Sequence, residues 1–324
     1  MRCPHSIDRV VRVYLLRLKR SKKLKGKIIR PFFMSKNQLI IATHSGPFHA
    51  DEVFGVATAL LALEPKEYTI VRTRDPEEYS GADLCIDIGG EYKPAKGCFD
   101  HHQKDFSLVR DNGIPFASFG IVWKYFGPRI VGSKALAIEI DHKLCQPIDA
   151  IDSGVQCADN LVYEPFTVSA VIRLMNPPWN DTRSHDECFV RAVAFAKEVI
   201  SCQVAHIKAR ERADEEVSKM ITPGMKYLVL DQYLPTKVLV EESDALFVVY
   251  PDMNCYWTLK GVPKTLNGFE PRKLLPSSWA GLKGEELVIV TGVADALYCH
   301  KGRWIAGAKS KEGILKLLEL ALQE

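Results

Sequence analysis

Four histidines and three aspartates sit at or just past the ends of short apolar runs in the first half of this chain. They read Thr43-His44-Ser45-Gly46-Pro47-Phe48-His49-Ala50-Asp51, then Asp87-Ile88-Gly89-Gly90, then Asp100-His101-His102. Each preceding run is too short for a helix and is bounded by turn residues, so each reads as a buried strand. Polar groups that close successive strands constrain the fold strongly. In open α/β sheets the carboxyl ends of the strands share one rim, and ligands bind there.

The pattern along the chain fits such a sheet. Strands are expected at Leu39–Thr43, Tyr68–Arg72, Leu84–Ile88 and Cys98–Asp100, with a helix from Asp51 to Leu63 stopped by Pro65. Further helices are expected over 116–126 and 133–152, the second bent near Pro147. Alternating strands and helices imply a parallel sheet with helices on both faces. A second section follows. One long helix covers 186–220, Pro223-Gly224 ends it, and strand-like runs lie at Tyr227–Leu230, Ala245–Tyr250, Cys255–Leu259 and Leu287–Val290. A last helix spans Glu312–Leu322. The expected architecture is an α/β domain over 34–185, then a linker helix and a smaller α+β domain over 186–324.

Composition narrows the function class. The net charge of +3 hides an asymmetry. Residues 1–33 hold 11 Lys or Arg and one acid, whereas the rest holds 32 basic and 39 acidic residues. The body is therefore acidic, and its charge is no argument for nucleic-acid binding. The basic extension is expected to be disordered or not translated, with Met34 as an alternative start. A mitochondrial presequence is the other reading, against a cytoplasmic default. No run reaches the apolar length of a membrane span. The nine cysteines form no CxxC pair, which argues for reduced, mostly buried thiols and against thiolate zinc.

The His and Asp segments each have an ordinary structural reading. His49-Ala50-Asp51 could be a helix start, with Asp51 as cap and Glu52 at the helix dipole. Asp87 could be a turn aspartate, and His101-His102 a surface pair. Together, at successive strand ends, they point to a metal site. Histidine and aspartate without cysteine favour Mn²⁺ or Mg²⁺. Several carboxylates suit two ions that activate a water for attack on phosphorus.

These residues resemble the DHH phosphoesterase superfamily, and within it the melanocyte-proliferating-gene-product family, also labelled metal-dependent protein hydrolases. The likeness runs through Thr43-His44 to Asp51-Glu52, Val71 to Pro76, Asp87 to Tyr92 and Phe99 to Gln103. It continues through Ile148 to Gly154, Arg173-Leu174-Met175-Asn176-Pro177-Pro178-Trp179-Asn180, and Cys299-His300 to Gly313. The resemblance implies a DHH-type first domain with a binuclear manganese or magnesium centre. It implies metal ligation by His44, His49, Asp51, Asp87 and His101, with Asp87 bridging. Asp152 matches the fourth ligand motif, and Asp149 is its rival on register. Asp100 and His102 take catalytic roles, His102 as a phosphate contact.

The resemblance also implies a 3′–5′ exonuclease acting on RNA or short oligonucleotides. The alternatives are a small-nucleotide phosphodiesterase or phosphatase, and a metal-containing binding protein without turnover. A homodimer is a further expectation. The second domain would supply substrate contacts, with Arg303 and Lys309 as candidates beside Gly307-Ala308, and Arg173 from the first. The glycine-rich GGGH pattern of many relatives is absent. Arg303 and Lys309 also read as ordinary surface charges, Arg72 and Arg74 either as cleft residues or as edge ion pairs, Trp179 as core, and His300 as structural.

Overall fold

The computed structural model describes residues 38–155, 163, 165–235, 237–266 and 268–324. The basic extension and its proposed start sites lie outside the described residues. Two compact units are present, the first ending at Ala205 and the second running from His206 to Glu324.

In the first unit, β1 (Gln38–Thr43) leads through the His44–His49 loop into α1 (Ala50–Leu63), followed by β2 (Glu67–Arg72). The short helix α2 (Pro76–Tyr79) precedes β3 (Leu84–Ile86), β4 (Tyr92–Lys93) and β5 (Cys98–Phe99). The sheet order is β2-β1-β3-β5-β4. Four strands are parallel, as expected, but β4 pairs antiparallel with β5, Tyr92 opposite Phe99. The sheet is thus mixed. The reason is length: so short a connection from β4 to β5 can only reverse the chain, because a parallel return needs a crossover of a dozen residues or more. The strand β3 also stops two residues early, since Asp87 takes the left-handed conformation at φ 58°.

Helix α3 (Ser118–Val131) packs against α1, and α1 is buried almost all round. Trp123 anchors α3, its indole N–H donating to the Ala137 carbonyl at 2.9 Å. The expected helix over 133–152 comes in three pieces: α4 (Lys134–Ile140), a π-helical turn (Asp141–Cys145) and α5 (Gln146–Asp152). Pro147 has no N–H to continue the ladder, and the turn before it widens, Gln146 N–H reaching back to the Asp141 carbonyl. Next come α6 (Val168–Leu174) and the long α7 (His185–Ser218).

The second unit contains the end of α7 and a sheet of β6 (Tyr227–Val229), β7 (Phe247–Pro251), β8 (Trp257–Gly261), β9 (Ala296–Cys299) and β10 (Ile305–Ala308). The order is β6-β7-β8-β10-β9, with only β6 and β7 parallel. The helices are α8 (Val238–Glu241), α9 (Glu285–Thr291) and α10 (Lys311–Gln323). Phe247, Val249, Leu259, Leu287, Ile314 and Leu317 form the core beneath α9 and α10.

Leu287–Val290 is a helix, not the expected strand. Glu285 and Glu286 favour the helix start, Gly292 closes it at φ 70°, and only Leu287 is buried. Its β-branched residues face largely outward, Ile289 being 76% exposed, so their strand preference has no sheet to act on. The described cysteines are free thiols. Among the described residues no helix is long and apolar enough to cross a membrane.

Candidate metal centre

The centre begins where β1 ends. His44 is buried behind the Ser45-Gly46-Pro47 turn, and His49 is the N-cap of α1. Asp51 is therefore not the cap: it lies inside the first turn with Glu52, and both are buried. The peptide plane joining Phe48 to His49 is held at both polar groups. Its carbonyl accepts from Asn176 Nδ2 at 2.8 Å, and its N–H donates to the Glu52 carboxylate at 3.0 Å. Asn176 Oδ1 also accepts the Phe48 N–H at 2.9 Å.

Helix α3 supplies the next wall. Helix N-termini expose amides without intrahelical partners. Here the Ser118 and Phe119 amides donate to Asp51, at 2.9 and 2.6 Å, and the Gly120 amide donates to Asp149 at 3.1 Å. Gly120 is required: a Cβ there would lie 1.9 Å from Asp149 Oδ2. Asp149 also takes the Arg110 guanidinium at 2.8 Å, so it is committed to a buried ion pair. Asp152 instead lies 3.4 Å from His101 Nε2, and on geometry it is the member of the pair that the fold brings to the cluster.

Asp87 is the centre. Its left-handed backbone turns the carboxylate between two groups of donors. Oδ2 lies 3.5 Å from His44 Nε2, which itself sits 3.0 Å from Glu52 Oε1. Oδ1 lies 3.5 Å from His101 Nε2 and 3.4 Å from His102 Nδ1, and accepts the Ser118 hydroxyl at 3.1 Å. Among the described residues three sets of side chains are close enough to hold a metal ion: His44 with His49 and Glu52, Asp87 with His101 and His102, and Asp51 with His101 and Asp152.

One buried atom tests whether these residues fit an ion. His101 Nε2 has no hydrogen-bond partner, although the carboxylates of Asp152, Asp87 and Asp51 surround it at 3.4, 3.5 and 3.8 Å. A buried ring nitrogen that faces three carboxylates and bonds none of them is a donor set that fits a cation. The titration of the site agrees. Burial and the nearby charges of Asp87 and Asp152 push Asp51 well up. Burial and Asp87 push Asp152 up as well. Burial opposes charge on His44, but hydrogen bonds to Asp87 and Glu52 outweigh it and raise the ring to about 10. Asp87 is lowered: burial would raise it, and the His101 and His44 rings beside its carboxylate prevail. Without a cation the cluster cannot carry all its negative charge, and protons take up the difference.

Asp100 stands one step back. Its Oδ2 accepts the Gly90 amide at 2.6 Å, and its Oδ1 accepts the His102 amide at 3.1 Å and lies 2.8 Å from His102 Nδ1. That bond raises His102. The His102 side chain is 63% exposed, whereas Asp100 is buried.

The other candidates have settings of their own. Arg173 is exposed at the end of α6, and Lys309 is exposed after β10. Arg303 occupies the β9–β10 turn at φ 56°, its guanidinium donating to the Leu275 carbonyl at 3.3 Å. Arg72 is buried, pairs with Asp186 at 2.9 Å and donates to the Gly46 carbonyl at 2.7 Å. Arg74 Nη2 lies 3.3 Å from His44 Nδ1, so it borders the cluster and not an edge. His300 accepts the Gly302 amide at 3.0 Å, a turn role. Trp179 is not core: it is 96% exposed, because Pro177-Pro178 leads into a surface turn that Asp181 N–H closes on the Pro178 carbonyl. Glu52, Ser118 and Asn176 were not marked as site residues by sequence reasoning. Glu52 follows Asp51 directly and stands three residues after the cap, a capping-box spacing that could have singled it out.

The family model MYG1_exonuc, described as an uncharacterised protein family (UPF0160), matches residues 40–322. The chain is 29% identical over 330 residues to the MYG1 exonuclease of Homo sapiens, covering 88% of this chain and 86% of that protein. It is 29% identical over 330 residues to the MYG1 protein YER156C of Saccharomyces cerevisiae, with 89% and 97% covered. Against the MYG1 protein C27H6.8 of Caenorhabditis elegans it is 28% identical over 323 residues, with 88% and 95% covered. The match includes both sheets and every residue of the three donor groups, and the chain belongs to the MYG1 family.

Proposed function

We propose that this protein is a metal-dependent phosphoesterase that acts as a 3′–5′ exonuclease on RNA or short oligonucleotides. The observation that carries the reading is Asp87, which presents one carboxylate oxygen to the His44 side and the other to the His101–His102 side. His44, His49, Asp51, Glu52, Asp87, His101 and Asp152 would hold divalent cations, manganese or magnesium by donor type. When bound, two such ions polarise the phosphoryl oxygens and lower the pKa of a water. The name of the human relative, MYG1 exonuclease, supports the choice of reaction.

The chain's own residues divide the remaining work. The N-terminus of α3 holds Asp51 in one orientation through two amides. Asp100 fixes the His102 ring through Nδ1 and favours its protonated form, which leaves Nε2 to donate to a phosphoryl oxygen as negative charge develops there. Glu52 braces both His44 and the His49 amide.

The test is hydrolysis of labelled RNA, single-stranded DNA, dinucleotides and pyrophosphate by the purified protein with Mn²⁺. Stepwise release of mononucleotides from the 3′ end is expected, abolished in Asp87→Ala and His101→Ala together with metal content. Rapid hydrolysis of dinucleotides alone would move the reading to a small-nucleotide phosphodiesterase. Full activity in both metal-free variants would overturn it.

A further inference from the structure

The turn after α6 carries a large aromatic ring into solvent from an ordered base. Trp179 is 96% exposed, although the segment beneath it is tied down at several points. Asn176 is clamped to both main-chain polar groups of Phe48, next to His49. Pro177 and Pro178 stiffen the next two residues. The Asp181 amide then closes the turn on the Pro178 carbonyl at 2.9 Å, and Arg183 pairs with Asp181. Trp179 is three positions after Asn176, so its Cα lies within roughly 11 Å of the residue that clamps the His49 loop. Arg173 is exposed one turn before Asn176, which donates to its carbonyl at 3.2 Å. A planar apolar ring and a guanidinium thus flank one anchored residue beside the metal centre.

We propose that Trp179 and Arg173 form a nucleotide subsite at the rim of this centre, Trp179 stacking a base of single-stranded RNA and Arg173 meeting an adjoining phosphate. It rests on the phosphoesterase reading and names what that site holds. The chemistry favours a base over an apolar protein surface: an exposed ring and an exposed guanidinium on one short segment suit the alternation of base and phosphate, and a base offers a flat face whatever its identity. The base of the turn is tied to the site as well, through the bonds of Asn176 to Phe48, one residue before His49.

The experiment compares wild-type protein, Trp179→Ala and Trp179→Phe on two short RNAs, one normal and one abasic at its last two positions. Binding is followed by anisotropy of the labelled RNA, cleavage by product release with Mn²⁺, and oligomeric state by light scattering. Wild-type protein should prefer the base-bearing RNA in Kd and KM. Trp179→Ala should reduce that preference roughly 5- to 150-fold, and Trp179→Phe should keep most of it. An unchanged preference in Trp179→Ala, with cleavage intact, overturns the subsite and spares the phosphoesterase reading. Base-dependent binding through Trp179 without cleavage does the reverse. Conversion of a wild-type oligomer to a monomer by Trp179→Ala overturns the subsite in favour of a second copy as the occupant. No RNA binding by wild-type protein sinks both.

Discussion

The Phe119 amide donates to Asp51 at 2.6 Å, so the first turn of α1 is tied to the first turn of α3 through a side chain that also faces His101. One carboxylate thus serves helix packing and the candidate metal centre. Asp51→Asn keeps the shape but places an NH₂ against one of two backbone amides. The metal-free protein should lose about 1–3 kcal/mol in urea unfolding. Bound manganese should fall as well. A variant with unchanged stability but no metal would show that the α3 amides do not depend on the second carboxyl oxygen.

Asp100 and His102 should separate from the ligands. His102→Ala is expected to keep metal content and lose about 10²–10³ in kcat. Asp100→Asn should lose part of this rate and weaken its pH dependence, because its carboxylate is what raises the His102 ring. Metal analysis on both variants decides the matter, since depletion in His102→Ala would make His102 a ligand.

The His44 ring predicts the direction of a pH effect. It is raised from 6.5 to about 10, so in the metal-free protein it holds a proton at neutral pH. A cation needs the neutral ring, so binding must release protons. Manganese affinity should therefore rise from about pH 6 to about pH 9, and calorimetry in buffers of different ionisation enthalpy should report the release. The metal-free fold responds oppositely. A raised folded pKa gives His44 a stabilising contribution that is complete below 6.5 and lost as pH rises through about 10.

Asn176 is a positioning residue, and its amide cannot be replaced by a carboxylate. Asn176→Asp still accepts the Phe48 N–H but cannot donate to the Phe48 carbonyl. Manganese should raise the Tm of wild-type protein, and the variant should show a smaller rise. An equal drop in Tm with and without manganese would instead mean that Asn176 supports the fold alone.

The strands β1 and β2, the helix α1 and the convergence of His44, Asp87 and His101 were legible because each depends on local signals: a short apolar run, a turn, a polar residue at the strand end. What stayed hidden depends on distance along the chain or on context. Asn176 reaches Phe48 across 128 positions, and no periodicity connects them. Glu52 looked like an ordinary acid in the first turn of a helix, a place where solvent usually meets it, and only burial makes it part of the centre. Asp152 and Asp149 could not be ranked from spacing. Their roles separate because Arg110 occupies one of them. Leu287–Val290 reads as strand by residue type, whereas the glycines and acids at its ends make it a helix.

The left-handed backbone at Asp87 has a consequence for how this protein would drift under selection for thermal robustness alone. A non-glycine residue at φ 58° sits in a conformation that glycine adopts without penalty. Against that relief stands the acceptor that His44, His101 and Ser118 share, since those neighbours hold the Asp87 carboxyl below its ordinary range and so make the charge stabilising. A library sorted only for heat resistance should therefore weigh backbone relief at position 87 against these partners, while one sorted for ion retention should hold aspartate there outright.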